Sequence, residues 1–288
     1  MILALLLQTL RIGTPYLYAA SAGILSERAG LIALSLEGWM LAGAFGAAVG
    51  SHATGSPLGG ILTGLAAGVI GGLVYGLACI RFRANQVVVG IALNLLMAGA
   101  TRFFLQLLFD SSSNSPRVPG FDWQGRLAWI GNPLVPLALL LLAGLVVLLY
   151  YTPLGLRLRA VGEKPEAAQS LGVSPAGIRW LAVLLAGAMA ALGGVYLALE
   201  QHQFSDEMTA GRGFIALAAV IFGNWRPGPV AAACFFFAAA ETLQIQLQAL
   251  QAFPSQFLEM LPYALTIVAL AGLVGRATPP AALGRTGD

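Results

Sequence analysis

PLGGILTGLAAGVIGGLVYGLACI, residues 57–80, carries no charged side chain and repeats glycine at every fourth position: Gly60, Gly64, Gly68, Gly72 and Gly76. At 1.5 Å per residue this run extends about 36 Å as a helix, enough to cross about 30 Å of hydrocarbon. Residues four apart share a helix face, so the glycines form a groove that admits another helix at close range, as small-xxx-small motifs do. Gly46 and Gly50 carry the spacing into the preceding apolar run. The stretch predicts a helix of a polytopic bundle, its glycines serving tight packing or lining a pore.

The rest of the chain agrees. Of 288 residues, 58% are hydrophobic and only 9% charged, against roughly 25% charged in a soluble domain, and the mean hydropathy is +0.82. A water-soluble globule is excluded. Apolar runs separated by charged, Gly/Pro or polar punctuation fall at 2–25, 31–50, 57–80, 85–109, 133–151, 177–199, 213–224, 228–248 and 257–275. The fold class predicted is therefore an all-α polytopic membrane protein of about nine segments, some broken or short. Residues 213–224 supply only about half of a crossing, and such segments at membrane depth often line a substrate site.

Charge placement orients the chain and restricts its chemistry. With the 152–176 connection in the cytoplasm, ten of the 15 basic residues lie on the inner face, Arg28, Arg81, Arg83, Arg157 and Arg159 among them. The N-terminus is then outside and the C-terminus cytoplasmic, with 110–132 an extracytoplasmic loop. The same placement explains the net charge of +3 without nucleic acid. Lys164 is the single lysine, followed by Pro165 and outside any glycine-rich loop, so the chain has no P-loop and cannot itself be a P-loop ATPase. Cys79 and Cys234 sit in apolar runs and define neither a disulfide framework nor a metal site. Gly-x-Ser-x-Gly, His-Glu-x-x-His and Cys-x-x-Cys are absent, and a membrane enzyme has no nucleophile and base to build on.

Polar residues inside apolar runs mark candidate sites. Glu241, Gln244, Gln248 and Gln251 fall on one helical face, suited to a wet cavity, a subunit contact or a helix end at the interface. Gln86, Gly90 and Asn94 form a second stripe whose amides suit either a neutral polar solute or another helix. Ser35, Glu37 and Trp39 form a third group: an acid beside an aromatic can hold a sugar hydroxyl and stack a base, or cap and pack a helix break. Buried acids also serve proton relays, so a proton-coupled secondary transporter of a small polar solute using Glu241 or Glu37 is the alternative reading.

The connection at 155–174 reads GLRLRAVGEKPEAAQSLGVS, where Pro165 can open a short helix and Gly172 stands near its stop. Glu166-Ala167-Ala168 followed by Gly172 resembles the loop by which ABC importer permeases dock on their ATPase. ERAGL at 27–31 with EGWMLAGA at 37–44, NQVVVGIALN at 85–94, and MTAGRGFIALAAVIFGNWRP at 208–227 are similar to signatures of the branch that takes up nucleosides and simple sugars. Ala33, Ser35 and Trp39 depart from its frequent Asn, Gly and Met. The resemblance implies a type II importer-like helical bundle in the bacterial cytoplasmic membrane. It implies an ATPase partner with two nucleotide-binding domains, which holds ATP and Mg, a second and related permease chain, and an extracytoplasmic substrate-binding lipoprotein. This chain itself then needs no cofactor. Taken with the polar groups above, the residues expected on the solute path are Ser35, Glu37, Trp39, Gln86, Asn94, Phe222, Asn224, Glu241 and Gln244. Those the resemblance implies for ATPase coupling are Glu163, Lys164, Pro165, Glu166, Ala167, Ala168 and Gly172.

Overall fold

The computed structural model describes residues 2–121, 132–249 and 277–285. The ninth apolar run at 257–275, Gln251, Arg126 and Arg276 lie outside the described residues. The described elements are helical: α1 (Ile2–Arg28), α2 (Leu36–Thr54), α3 (Pro57–Gly76) continued by a π-helical turn (Leu77–Arg81), α4 (Gln86–Phe109), α5 (Leu134–Tyr151), α6 (Pro153–Glu163), α7 (Pro165–Ser170), α8 (Pro175–Gln201), α9 (Arg212–Phe222) and α10 (Pro227–Ala249). Five of these stretches are long and apolar enough to cross a membrane: Pro57–Arg81, Gln86–Phe109, Leu134–Tyr151, Pro175–Gln201 and Pro227–Gln248. Their outward faces are apolar: Leu62, Leu95 and Leu140 are about two-thirds exposed, as lipid permits and water does not.

Local signals set the helix starts. Ser56-Pro57, Thr152-Pro153 and Ser174-Pro175 each place a hydroxyl before a proline, and the hydroxyls accept from the backbone N–H of Leu58, Gly155 and Gly177. Proline supplies the helical φ without wasting a donor, and the hydroxyl satisfies one that would otherwise be orphaned. Asn85 caps α4 in the same manner, accepting from the N–H groups of Val87 and Val88.

Two elements differ in length from an uninterrupted crossing. The run expected from residue 31 starts its helix only at Leu36, because residues 29–35 take an irregular path whose polar groups are held by other helices, as described below. The run at 213–224 forms the 11-residue α9, about 16 Å long. The connection expected at 152–176 is itself helical over α6 and α7, with Pro165 in the first turn of α7.

The glycine face of α3 is the seam of the bundle. Gly60, Gly64, Gly68, Gly72 and Gly76 are all buried, and each faces a neighbouring backbone or ring. A Cβ on Gly60 would lie 2.7 Å from the Ala47 carbonyl oxygen of α2, one on Gly64 2.8 Å from that of Gly43, and one on Gly72 2.8 Å from that of Val183 of α8. At Gly68 the added carbon would run into the Gly187 carbonyl and the Ala191 side chain. From the other side, Gly43 and Gly187 face α8 and α3 at similarly close range. The groove read from the sequence is therefore a packing surface on which α2 and α8 sit backbone to backbone.

Gly68→Ala is expected to destabilise the solubilised protein by about 1–3 kcal/mol through overpacking. Gly144→Ala in α5, where nothing lies within 4 Å, should be neutral or gain up to about 1 kcal/mol of helix stability. Thermal unfolding of both variants in detergent checks this, and equal effects would remove the seam from its role.

Candidate functional site

The irregular segment 29–35 carries backbone groups into the interior of an apolar bundle, where each must find a partner. Side chains from three other elements supply them. Glu27 Oε1 accepts from the Ala33 N–H at 3.1 Å and Gln86 Oε1 from the Ile32 N–H at 2.8 Å. The Tyr75 hydroxyl donates to the Ile32 carbonyl at 2.6 Å and the Ser26 hydroxyl to that of Leu31 at 2.9 Å. Asn94 spans the break into α2, accepting from the Gly38 N–H and donating to the Leu34 carbonyl, both at 2.8 Å. The amides of Gln86 and Asn94 thus meet the chain's own backbone. Glycines permit the approach: a Cβ on Gly90 would stand 2.7 Å from the Leu34 side chain.

The break places Glu37 deep in the bundle, facing the start of α9. Its Oε1 accepts from the Thr209 hydroxyl at 2.6 Å and the Gly211 N–H at 2.9 Å, and its Oε2 from the Gly213 N–H at 2.7 Å. A carboxylate at a helix N-terminus answers both the free N–H groups and the positive end of the dipole. Gly211 has φ +80°, and a Cβ on Gly213 would lie 2.6 Å from the Glu37 Cα, so both glycines are required for this contact. Glu37, Gly38, Leu41, Asn94, Ala98, Glu207, Thr209, Ala210 and Gly211 line an open pocket of about 280 Å³, near the lower end of small-molecule sites. Glu207 and Asp206 meet Arg102 of α4, whose guanidinium lies 2.8 Å from Asp206 and 3.2 Å from Glu207. Behind them, residues 113–118 hydrogen-bond to residues 202–206, with Asp206 N–H on the Ser113 carbonyl at 2.8 Å.

Other candidate residues lie elsewhere. Trp39 is fully buried, edge-on to Tyr75 with ring centroids 5.7 Å apart. Its indole fits against Gly71, where a Cβ would come within 2.7 Å, and it is not part of the cavity wall. Ser35 is also fully buried, and neither its Oγ nor Trp39 Nε1 has a hydrogen-bond partner among the described residues. Glu241 accepts from Arg212 Nη2 at 2.9 Å and from the Tyr16 hydroxyl, and Arg212 also donates to the Met208 carbonyl at 3.2 Å. This cluster ties α10 and α1 to the loop that Glu37 holds. Gln244 lies one turn from Glu241 on α10, half-buried. The Phe222 ring packs on Phe237, and Asn224, with φ +51°, accepts from Thr278.

The end of the bundle that carries α6 and α7 gathers arginines. Arg28 Nε donates to the Trp225 carbonyl at 3.0 Å, Arg179 Nε to that of Ala29 at 3.4 Å, and Arg159 stacks over Tyr150. On α7, Ala168 is buried while Glu166 and Ala167 are exposed. Gly172 closes the turn with φ +81°, and its N–H bonds the Gln169 carbonyl at 2.9 Å. Leu171 between them is 84% exposed. Glu163 and Lys164 are exposed and Pro165 is half-buried beside them.

Sequence reasoning passed over Thr209, Gly211 and Gly213, the partners of Glu37. Their signal is a glycine pair flanking an arginine, Gly211-Arg212-Gly213, before an apolar run. It also passed over Glu27, a lone acid at the end of the first apolar run, whose Oε2 accepts from the Trp225 indole N–H at 2.5 Å.

Residues 5–270 match the family described as branched-chain amino acid transport system / permease component. The chain is 34% identical to the guanosine ABC transporter permease protein NupQ of Bacillus subtilis, over 96% of this chain and 93% of that protein. It is 32% identical to the nucleoside ABC transporter permease protein NupC of Lactococcus lactis, over 94% and 92%. A putative glucose ABC transporter permease, TsgC13 of Haloferax volcanii, is 36% identical over 85% and 78%. No solved structure matches the chain significantly.

Glu37→Gln sets an amide donor among three donors and is expected to cost about 1.5–3 kcal/mol. Amide hydrogen exchange at 209–213 should accelerate while exchange in α3 stays unchanged. Unaltered exchange at Gly211 and Gly213 would dismiss Glu37 as the anchor of that loop.

Proposed function

The chain belongs to the branched-chain amino acid transport system permease family, and from that membership we propose that it is the permease subunit of an ATP-driven importer of nucleosides or related simple sugars. The observation that carries the reading within the fold is the cavity at the meeting of two interrupted segments. There the start of α2, the start of α9 and the wall of α4 bring Glu37, Asn94, Glu207, Thr209 and main-chain groups around one space. Neutral, hydroxyl-rich solutes are held by such mixed donors and acceptors, and relatives named for guanosine, nucleosides and glucose fit that chemistry. Glu37 and Asn94 shape the wall by holding the 209–213 loop and the break before α2; Glu207 and Thr209 face the solute.

Energy comes from a separate ATPase subunit with two nucleotide-binding domains, which carries ATP and Mg. The exposed ridge of Glu163, Lys164, Pro165, Glu166 and Ala167, with Leu171 beyond it and Gly172 setting its end, is the surface offered to that subunit. A second permease chain of related sequence completes the pathway, and an extracytoplasmic lipoprotein delivers the solute. In this reading the chain crosses the bacterial cytoplasmic membrane about nine times in a type II importer-like bundle. The arginine-rich end bearing α6 and α7 faces the cytoplasm, with the N-terminus outside. A proton-coupled carrier is not favoured, because Glu241 is engaged by Arg212 and Glu37 by three donors from 209–213, so both acids hold helices together.

Guanosine uptake in vesicles should require ATP and the ATPase subunit. Glu166→Arg and Gly172→Pro should reduce copurification of the ATPase at least about tenfold, the loss of roughly 1.4 kcal/mol, with membrane insertion intact. Gly172→Pro acts because proline cannot adopt φ +81°. Full uptake by this chain alone under a proton gradient would sink the assignment, and unchanged copurification would remove α7 from docking.

A further inference from the structure

Residues 277–285, ATPPAALGR, form no helix, yet they are fastened to three separate elements at the arginine-rich end. The Thr278 N–H and hydroxyl both donate to Asn224 Oδ1, at 3.0 and 3.2 Å, in the turn between α9 and α10. The Ala281 N–H donates to Glu163 Oε2 at 3.2 Å and the Ala282 N–H to the Gly162 carbonyl at 2.9 Å, both at the end of α6. The Gly284 N–H donates to the Gly30 carbonyl at 3.1 Å, at the entry to the irregular segment. Ala282 is fully buried, and a Cβ on Gly30 would lie 3.1 Å from its carbonyl oxygen. Irregular surface segments are ordinarily the looser parts of a fold, and this one is tied at three places.

The three elements differ in what they carry. The end of α6 leads through Lys164 into α7; Gly30 begins the break that sets Glu37 at the cavity; Asn224 ends α9, whose first turn is the opposite wall. Asn224 and Trp225 both have positive φ, +51° and +56°, a conformation uncommon for asparagine and rare for tryptophan. The side chain that closes this turn is the one that Thr278 grips.

We propose that residues 277–285 form a strap that passes displacement of α6 and α7 to the α9–α10 turn, with Glu163 and Asn224 as its positioning residues. The inference rests on the docking role proposed for α7. When the ATPase moves that helix, Glu163 and Gly162 draw the strap, and Asn224 relays the pull to the end of α9, the helix whose start borders the solute.

Glycine at 224 keeps the left-handed backbone but loses the acceptor, whereas aspartate keeps both. In the assembled transporter, with its ATPase copurified and reconstituted in liposomes, Asn224→Gly and a chain ending at Arg276 are expected to raise the ATP hydrolysed per guanosine imported at least about fivefold. KM for guanosine and the amount of bound ATPase should not change. Asn224→Asp, which keeps its acceptor, should restore the normal ratio. A normal ratio in the shortened chain with ATPase bound overturns the strap, as does a raised KM with a normal ratio in Asn224→Gly. If the shortened chain does not fold, the Gly and Asp variants at 224 decide alone. Failure of the docking reading is distinct: the ATPase would then copurify unchanged with Glu166→Arg.

Discussion

A peptide group left without a hydrogen-bond partner in hydrocarbon costs several kcal/mol, and the irregular segment 29–35 is built around that penalty. Ser26 and Glu27 reach forward from α1, Tyr75 across from α3, and Gln86 and Asn94 from α4, each to a particular N–H or carbonyl. Because these partners stand on three helices, the segment cannot keep its path unless the helices keep their places. In return the break lets α2 begin inside the bundle rather than at its edge, which is what brings Glu37 to the start of α9. The cavity follows from the interruption.

The charges at that depth are arranged by the same economy. Glu37 answers the open N–H groups ahead of α9, Arg212 in the next turn pairs with Glu241 of α10, and Tyr16 of α1 donates to the same carboxylate. Ionised groups in a membrane interior persist where they are paired, and here each pair also joins two or more helices. Two stretches far apart in sequence, 27–38 and 209–225, meet twice: at Glu37 with the start of α9, and at Glu27 with the Trp225 indole beyond its end. The short helix is thereby held at both ends by the segments flanking the break.

Much of the scaffold was legible before any coordinates. The four-residue spacing of glycine on α3 survives as a buried face because periodicity and helix geometry are the same fact seen twice. Ser-Pro and Thr-Pro pairs mark helix starts through donors and acceptors one or two residues away, and the brevity of 213–224 follows from counting. What sequence could not resolve was the choice between equal uses of one group. An amide at position 86 or 94 serves a solute or a neighbouring backbone equally well, and only the fold shows that both reach the break. The delayed start of α2 was hidden because Leu31 to Leu34 is as apolar as any helix. Trp39 gave no sign that Gly71 makes room for it, and Glu241 none that its counter-charge lies 29 residues back on another helix. The fastening of 277–285 was invisible since most of its donors are main-chain N–H groups, which every residue has.

The seam between α2, α3 and α8 has a mechanical meaning. Where helices touch through glycine, no side chain stands between the backbones to change rotamer and take up a displacement, and little side-chain freedom is surrendered in forming the contact. Such a joint has almost no compliance: it either holds its register or separates. The three helices therefore form a keel, a single body against which lighter parts can rock. The short α9 lies outside that seam and is held instead by side-chain hydrogen bonds, from Glu37 at its start and from Glu27 beyond its end.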